Sequence, residues 1–212
     1  MLVLHYAPGT IASAVAIALE ELGLPYELQQ VSFAEAEQTG PAFHALNPKG
    51  RVPVLVTARG PLTETGAILE YLAQLAPAGG PEGAALMPAD AYDAARVRSV
   101  MYYLASTVHV AHAHMRRGTR WATQESSFAD MAAKVPQNMA DCCAFLEDNV
   151  IEGPFVLGET LTLADPYLYV ITTWLKADEV DIAEYPKLAV FAAAMEERAS
   201  VATVRSRNML SR

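Results

Sequence analysis

Glu64 and Thr65 stand directly before a run whose apolar positions Ile68, Leu69, Leu72 and Leu75 fall on one helical face. An acid at a helix start is favourable with the macrodipole. A second chemistry fits the same two residues. The Thr65 hydroxyl and N–H bind an anion at the helix N-terminus, and Glu64 accepts from an ammonium. One such site suits an amino acid, held by both ends. Upstream, Val52-Pro53 follows the turn Pro48-Lys49-Gly50-Arg51 and opens a strand. Pro53 reads either as an edge-strand proline or as a cis proline. A cis bond there leaves the N–H and C=O of Val52 free to pair with an extended peptide. Lys49 and Arg51 are either a solvated turn or a local positive charge that focuses an anionic ligand in an acidic chain.

A third cluster is His109-Val-Ala-His112-Ala-His114. On a helix, His109 and His112 share a face, which is acceptable metal-ligand geometry, while His114 points away. With no fourth ligand nearby, no metal site is expected. The two cysteines, Cys142 and Cys143, are adjacent and bridge poorly, so they form no disulfide framework. On a core helix they read as small buried hydrophobes, which fits a reducing compartment.

The elements that position these residues change character along the chain. Leu2–Tyr6 reads as a strand, broken by Ala7-Pro8-Gly9-Thr10. A helix over 12–22 follows, capped by Thr10 or Ser13 and stopped by Gly23 and Pro25. Tyr26–Phe33 reads as a second strand, giving a βαβ start. Val52–Val56 and Leu62-Thr63 are further strands joined by a hairpin turn at Ala58-Arg59-Gly60-Pro61, and a helix opens at Glu64. Pro and Gly crowd residues 77–90, after which the strand signal vanishes. Helices are expected over roughly 89–117, 124–149, 162–177 and 186–199, and Thr162-Leu-Ala-Asp165 is a capping-box pattern before an apolar run. The domains are therefore drawn as 1–77, an α/β unit; 78–90, a linker; and 91–212, all-helical.

The 212 residues are enough to bury a core without a staple, and 52% hydrophobic against 18% charged content excludes a disordered chain. A formal net charge of −9 argues against sequence-independent nucleic-acid binding. The tail arginines Arg205, Arg207 and Arg212 read as a solvated end. No apolar run reaches membrane-spanning length and no basic leader opens the chain, so a cytoplasmic protein is expected.

Tyr6-Ala-Pro-Gly-Thr10, Asn47-Pro-Lys-Gly-Arg-Val-Pro53-Val-Leu55, Leu62-Thr-Glu-Thr-Gly-Ala-Ile68 and Thr162-Leu-Ala-Asp165 lie in the order and spacing of the cytosolic glutathione transferases. The chain resembles this family over nearly its whole length, in a flavour like the bacterial beta class. The resemblance implies a thioredoxin-like N-terminal domain with Pro53 in cis, an all-helical C-terminal domain and a homodimer. It implies glutathione as co-substrate, paired to Val52 beside Pro53, with Glu64 and Thr65 on its γ-glutamyl end and Lys49 and Arg51 near its glycine carboxylate. It implies that Thr162 and Asp165 serve folding rather than chemistry. An electrophile pocket between the domains is expected to be lined by Ile11, His109, His112 and Met115.

One position departs from the beta class. Where that class carries a cysteine, this chain has Ile11. Either a hydroxyl then holds the glutathione thiolate, from Thr10, Ser13 or Tyr6, lowering a thiol pKa that is about 8.5 unperturbed, or nothing does. The helix start near Thr10 adds positive potential. The acid that precedes the class's active-site His by two is Thr107 here. A maleylacetoacetate-isomerase reading is weaker, because that branch opens its first helix with Ser-Ser-Cys where this chain has Ile-Ala-Ser13. Two functions follow: transfer of glutathione thiolate to a small hydrophobic electrophile, or a non-catalytic glutathione-fold binding or regulatory protein.

Overall fold

In the computed structural model, which describes residues 1–75 and 85–210, β1 (Leu2–Tyr6) ends where Pro8 and Gly9 break the strand, and Gly9 takes φ of 69°. The chain turns directly into α1 (Ala12–Glu21), every residue of which from Ala12 to Leu19 is buried. A helix that is apolar all round must be covered on every side, and α1 lies between the sheet and the helices that follow. At its C-terminal end Gly23 adopts φ of 62° and Leu24 N–H donates to the Leu19 carbonyl at 3.0 Å, a glycine-closed helix end. β2 (Tyr26–Gln30) returns parallel to β1, completing the βαβ unit.

The second strand is shorter than its β-rich sequence suggests. Val31 still donates to the Tyr6 carbonyl at 2.7 Å, but then leaves the sheet to pack with Phe43 and Val54 in a small second core. Phe43 is supplied by α2 (Pro41–His44). β3 (Val54–Thr57) runs antiparallel to β1 with Leu55 opposite Leu4, and β4 (Gly60–Thr63) pairs back on β3. The sheet order is β2-β1-β3-β4, a mixed thioredoxin-like sheet, and α3 (Thr65–Leu75) follows.

The expected helix over 89–117 is interrupted. α4 (Ala91–Tyr103), capped by Asp90 through the N–H groups of Tyr92 and Asp93, passes into a wide π turn at Leu104–Val108, then α5 (His109–Ala113). A 3-10 turn at Gly118–Arg120 leads to α6 (Glu125–Asn149). α7 (Ala164–Thr172) is buried from Ala164 to Ile171. Its start is built as the sequence indicated: the Thr162 N–H and hydroxyl donate to one Asp165 carboxylate oxygen at 2.6 and 2.7 Å, and Val156 N–H to the other at 2.7 Å.

The sequence placed one last helix where there are two. α8 (Pro186–Glu196) stops at Arg198, which is extended, and α9 (Ala199–Ser206) folds back onto α1. Arg198 and the Ser200 hydroxyl both reach the Glu21 carboxylate. The tail is therefore tied down rather than solvated. Arg207 pairs with Glu20 at 3.0 Å and donates to the Tyr26 phenol, and Arg205 bridges Tyr169 and Glu196. Arg212 lies outside the described residues.

One apolar core runs through both halves, from Leu4, Leu55 and Ile68 to Met101, Leu168, Phe191 and Val201. The expected linker over 78–90 falls outside the described residues as far as 84. Beyond it Leu86 is buried, and its carbonyl accepts from Leu163 N–H at 2.8 Å.

A candidate ligand site between sheet and helices

The turn before Pro53 is organised by a buried side chain. Asn47, 1% exposed, donates from Nδ2 to the Arg51 carbonyl at 2.7 Å and accepts from Lys49 N–H at 3.2 Å. Gly50 sits at φ of 62°, and a Cβ there would come within 2.9 Å of the Gln38 carbonyl oxygen, so the turn needs glycine. The Val52–Pro53 bond is cis. The N–H and C=O of Val52 have no hydrogen-bond partner among the described residues. The β3–β4 register sets Val54 opposite Thr63, which brings this segment alongside the start of α3, where Glu64 holds φ of 70°, a left-handed conformation rare for a non-glycine residue and found where a site over-determines the backbone.

The structure reassigns Lys49. Its ammonium lies 2.6 Å from the Glu64 carboxylate and 2.8 Å from the Thr63 hydroxyl, so it already neutralises Glu64 and is not free for a ligand carboxylate. Arg51 is exposed, with no ion pair among the described residues. Thr65 is buried, and its side chain lies beside the Tyr167 phenol of α7, where the α3 N-terminus meets the helical half. A Cβ added at Gly66 would meet open space, and the first N–H groups of α3 have no intrahelical acceptor.

At the other helix start, all three candidate hydroxyls have partners. Thr10 Oγ1 donates to the Ala7 carbonyl at 2.7 Å, so it neither caps α1 nor offers its proton elsewhere. Ser13 is fully buried and donates to the Met209 carbonyl at 2.7 Å, which gives it a structural task. Tyr6, 8% exposed, packs in the core with its phenol 3.5 Å from Gln30. Ile11 is likewise core, at 4% exposure, rather than an open pocket wall. What remains unpartnered among the described residues is the pair of N–H groups of Ile11 and Ala12 at the positive end of α1.

The helical wall is a chain of contacts that sequence reasoning missed. His112 Nδ1 lies 2.9 and 2.8 Å from the two carboxylate oxygens of Asp178, which is fully buried. The His112 ring stacks on Trp174 with centroids 4.3 Å apart, and His109 tilts against the same indole at 5.1 Å. Trp174 Nε1 donates to the Gly9 carbonyl at 3.1 Å, joining this wall to the loop before α1. Met115 is half-buried beside them. Burial, then the charges of His112, Arg120 and Arg51, push His109 down to about 4, so it is a neutral imidazole near pH 7. His114 meets Trp121 edge-on instead. Trp174 sits in an apolar run that reads as plain core, and Asp178 has no sequence signal, since its partner is 66 residues away.

Burial raises both thiols, Cys143 to about 12, so neither is a thiolate near neutral pH. Among the described residues no group of three His, Cys, Asp or Glu is placed to hold a metal ion, and no helix is long and apolar enough to cross a membrane.

A cis proline beside an unpaired strand start, in a thioredoxin-like unit with a helical partner, is the arrangement of a known class. The glutathione S-transferase N-terminal domain model matches residues 1–74 and the C-terminal domain model residues 112–206. The chain belongs to the glutathione S-transferase family. A crystal structure of a glutathione transferase homologue from Sulfitobacter, with bound glutathione, is 55% identical, covers 99% of each chain and has a TM-score of 0.95. The bacterial beta class enzyme from Sphingomonas chungbukensis is 27% identical over 97% of this chain and 98% of its own, with a TM-score of 0.81. A maleylpyruvate isomerase from Ralstonia sp is 31% identical over 185 residues, 85% of each.

Proposed function

We propose that the protein binds glutathione and transfers its thiolate to a small electrophile. The observation that carries this reading is the unpaired backbone of Val52 beside cis Pro53, in a strand whose register with β4 brings it alongside Glu64 and the start of α3. An extended tripeptide pairs with Val52 as an added strand. Its γ-glutamyl carboxylate meets the Thr65 hydroxyl and the first N–H groups of α3, and its ammonium meets Glu64. Arg51, next to Val52, takes the glycine carboxylate. The thiol then falls at the start of α1, where the Ile11 and Ala12 N–H groups and the helix dipole favour the thiolate. A lowered thiol pKa and proximity to the second substrate are the whole of the chemistry required. His109, His112 and Met115 form the wall against which that substrate packs.

The engaged hydroxyls of Tyr6, Thr10 and Ser13 favour a second reading, a glutathione-binding protein without turnover. Titration calorimetry with glutathione, together with conjugation of an activated aryl halide, separates the two. Binding with turnover supports the transferase, binding without turnover supports the alternative, and no binding contradicts both. We place the protein in the cytoplasm as a homodimer. The dimer is supported by Tyr92 and Tyr102 on α4 and Phe145 on α6, all exposed, and a monomer by light scattering at micromolar concentration contradicts it.

A further inference from the structure

The acidic chain keeps a group of arginines without counter-ions at the mouth of this site. Arg96, Arg98, Arg205 and Arg207 are each paired to a carboxylate, whereas Arg51, Arg117 and Arg120, like Arg59 and Arg116, have no ion pair among the described residues; the three are set apart because they lie within electrostatic reach of one another. The three come from two directions. Arg51 ends the Asn47-anchored turn of the sheet half. Arg117 and Arg120 belong to the short loop between α5 and α6, which is clamped in place: a Cβ at Gly118 would come within 2.9 Å of Phe128 on α6, and Trp121 closes edge-on against His114. From there Arg117 reaches across and lies over the Phe33 ring of the sheet half, 5.7 Å from its centroid.

The charges act on one another. Burial, then Arg51 and Arg117, lowers the Arg120 guanidinium from its ordinary value, and Arg120 and Arg51 both oppose protonation of His109. No carboxylate figures among the groups that act on Arg120. Like charges gathered without a partner cost free energy, and that cost is relieved when a bound anion supplies the missing charge. Glutathione brings one glycine carboxylate, which suits Arg51. Arg117 and Arg120 remain.

We infer that the second substrate is itself an anion, a small carboxylate-bearing electrophile whose carboxylate is received by Arg117 and Arg120 while its apolar body packs on His109 and Met115. The inference rests on the transferase reading, and it narrows the electrophile from merely hydrophobic to amphipathic with a negative end. Guanidinium forks match a carboxylate in two parallel hydrogen bonds, so recognition here is directional as well as electrostatic.

The test compares two conjugates that differ only in that charge, S-(4-carboxybenzyl)glutathione and S-(4-carbamoylbenzyl)glutathione, by titration calorimetry. The wild-type chain is expected to bind the carboxylate about ten- to a hundredfold more tightly than the amide. That advantage should shrink roughly tenfold in Arg120→Gln, recover in part in Arg120→Lys, and fall with added salt. Equal affinities for the two conjugates overturn the anion site and leave glutathione binding standing. An advantage that survives in both Arg120→Gln and Arg117→Gln overturns the residue assignment. Failure to bind either conjugate or glutathione itself overturns the transferase reading and this inference with it.

Discussion

The indole of Trp174 donates a hydrogen bond to the carbonyl of Gly9 at 3.1 Å, across 165 residues of chain. Gly9 is the residue whose positive φ turns β1 toward α1, and its own N–H is bonded to the Met209 carbonyl at 2.8 Å. The loop that would lie beside the glutathione sulfur is thus held from both sides by the helical half. Trp174→Phe removes the N–H and also shrinks the ring that stacks on His112 in a buried place. It should cost about 1–3 kcal/mol in urea unfolding, the lost hydrogen bond together with the lost packing, and lower kcat/KM for glutathione more than that stability loss explains. An unchanged kcat/KM would separate the indole from the sulfur loop.

Ser13 is expected to act on folding alone. Its hydroxyl is buried on the Met209 carbonyl, so Ser13→Ala should cost roughly 1–3 kcal/mol of stability, the range for a buried hydrogen bond lost on one side. Turnover per folded molecule should stay within about threefold of wild type, less than 1 kcal/mol on the barrier. A collapse of turnover with intact stability would return the hydroxyl to the chemistry.

These two contacts mark where the sequence stopped being legible. The helix start at Glu64-Thr65 was readable from the apolar spacing that follows it, whereas the residues at Val52-Pro53 left an edge-strand and a cis proline open and only the family resemblance pointed to cis. The βαβ start was readable because Pro8-Gly9 and Gly23 punctuate it locally. Ser13 with Met209, Trp174 with Gly9 and His112 with Asp178 are joined only by the folded chain, over separations of 196, 165 and 66 residues. A hydroxyl in the sequence carries no sign of whether it has a partner. Thr10 and Ser13 therefore read as free donors when they are spent. Lys49 and Glu64, read as two ligand contacts of opposite sign, turned out to satisfy each other. The last helix was missed because no glycine or proline separates it from the one before.

Thr65→Ala should weaken glutathione binding by about 1–3 kcal/mol, the cost of a lost hydrogen bond to a charged group. Thr65→Ser keeps the hydroxyl and should restore most of it. Because the same side chain is buried beside Tyr167, the alanine variant should also lose some stability, which thermal unfolding without ligand measures separately. Calorimetry giving equal affinities for wild type and Thr65→Ala would remove Thr65 from the site.

The neutral state of His109 has a consequence for pH. Its folded value, near 4, lies below the ordinary 6.5. Between those values the unfolded chain takes up a proton that the folded chain refuses, so stability rises with pH across this window. The contribution is fully present above about pH 6.5 and is lost as pH falls toward 4. His109→Asn removes the titration, and its unfolding midpoint should fall less steeply between pH 6.5 and 4.5 than that of wild type. Parallel midpoint-against-pH curves would contradict a depressed imidazole.

The thiol of bound glutathione provides the most direct measurement. If the start of α1 holds the thiolate through the N–H groups of Ile11 and Ala12, the ultraviolet thiolate absorbance of the complex should titrate well below the unperturbed thiol value of about 8.5. Thr10→Ala should leave that midpoint nearly where it is, since the Thr10 hydroxyl is already given to Ala7. A large upward shift in Thr10→Ala would place the hydroxyl, not the backbone, on the sulfur. A wild-type complex whose thiol titrates at the unperturbed value would contradict thiolate activation and leave a glutathione-binding protein without transferase chemistry.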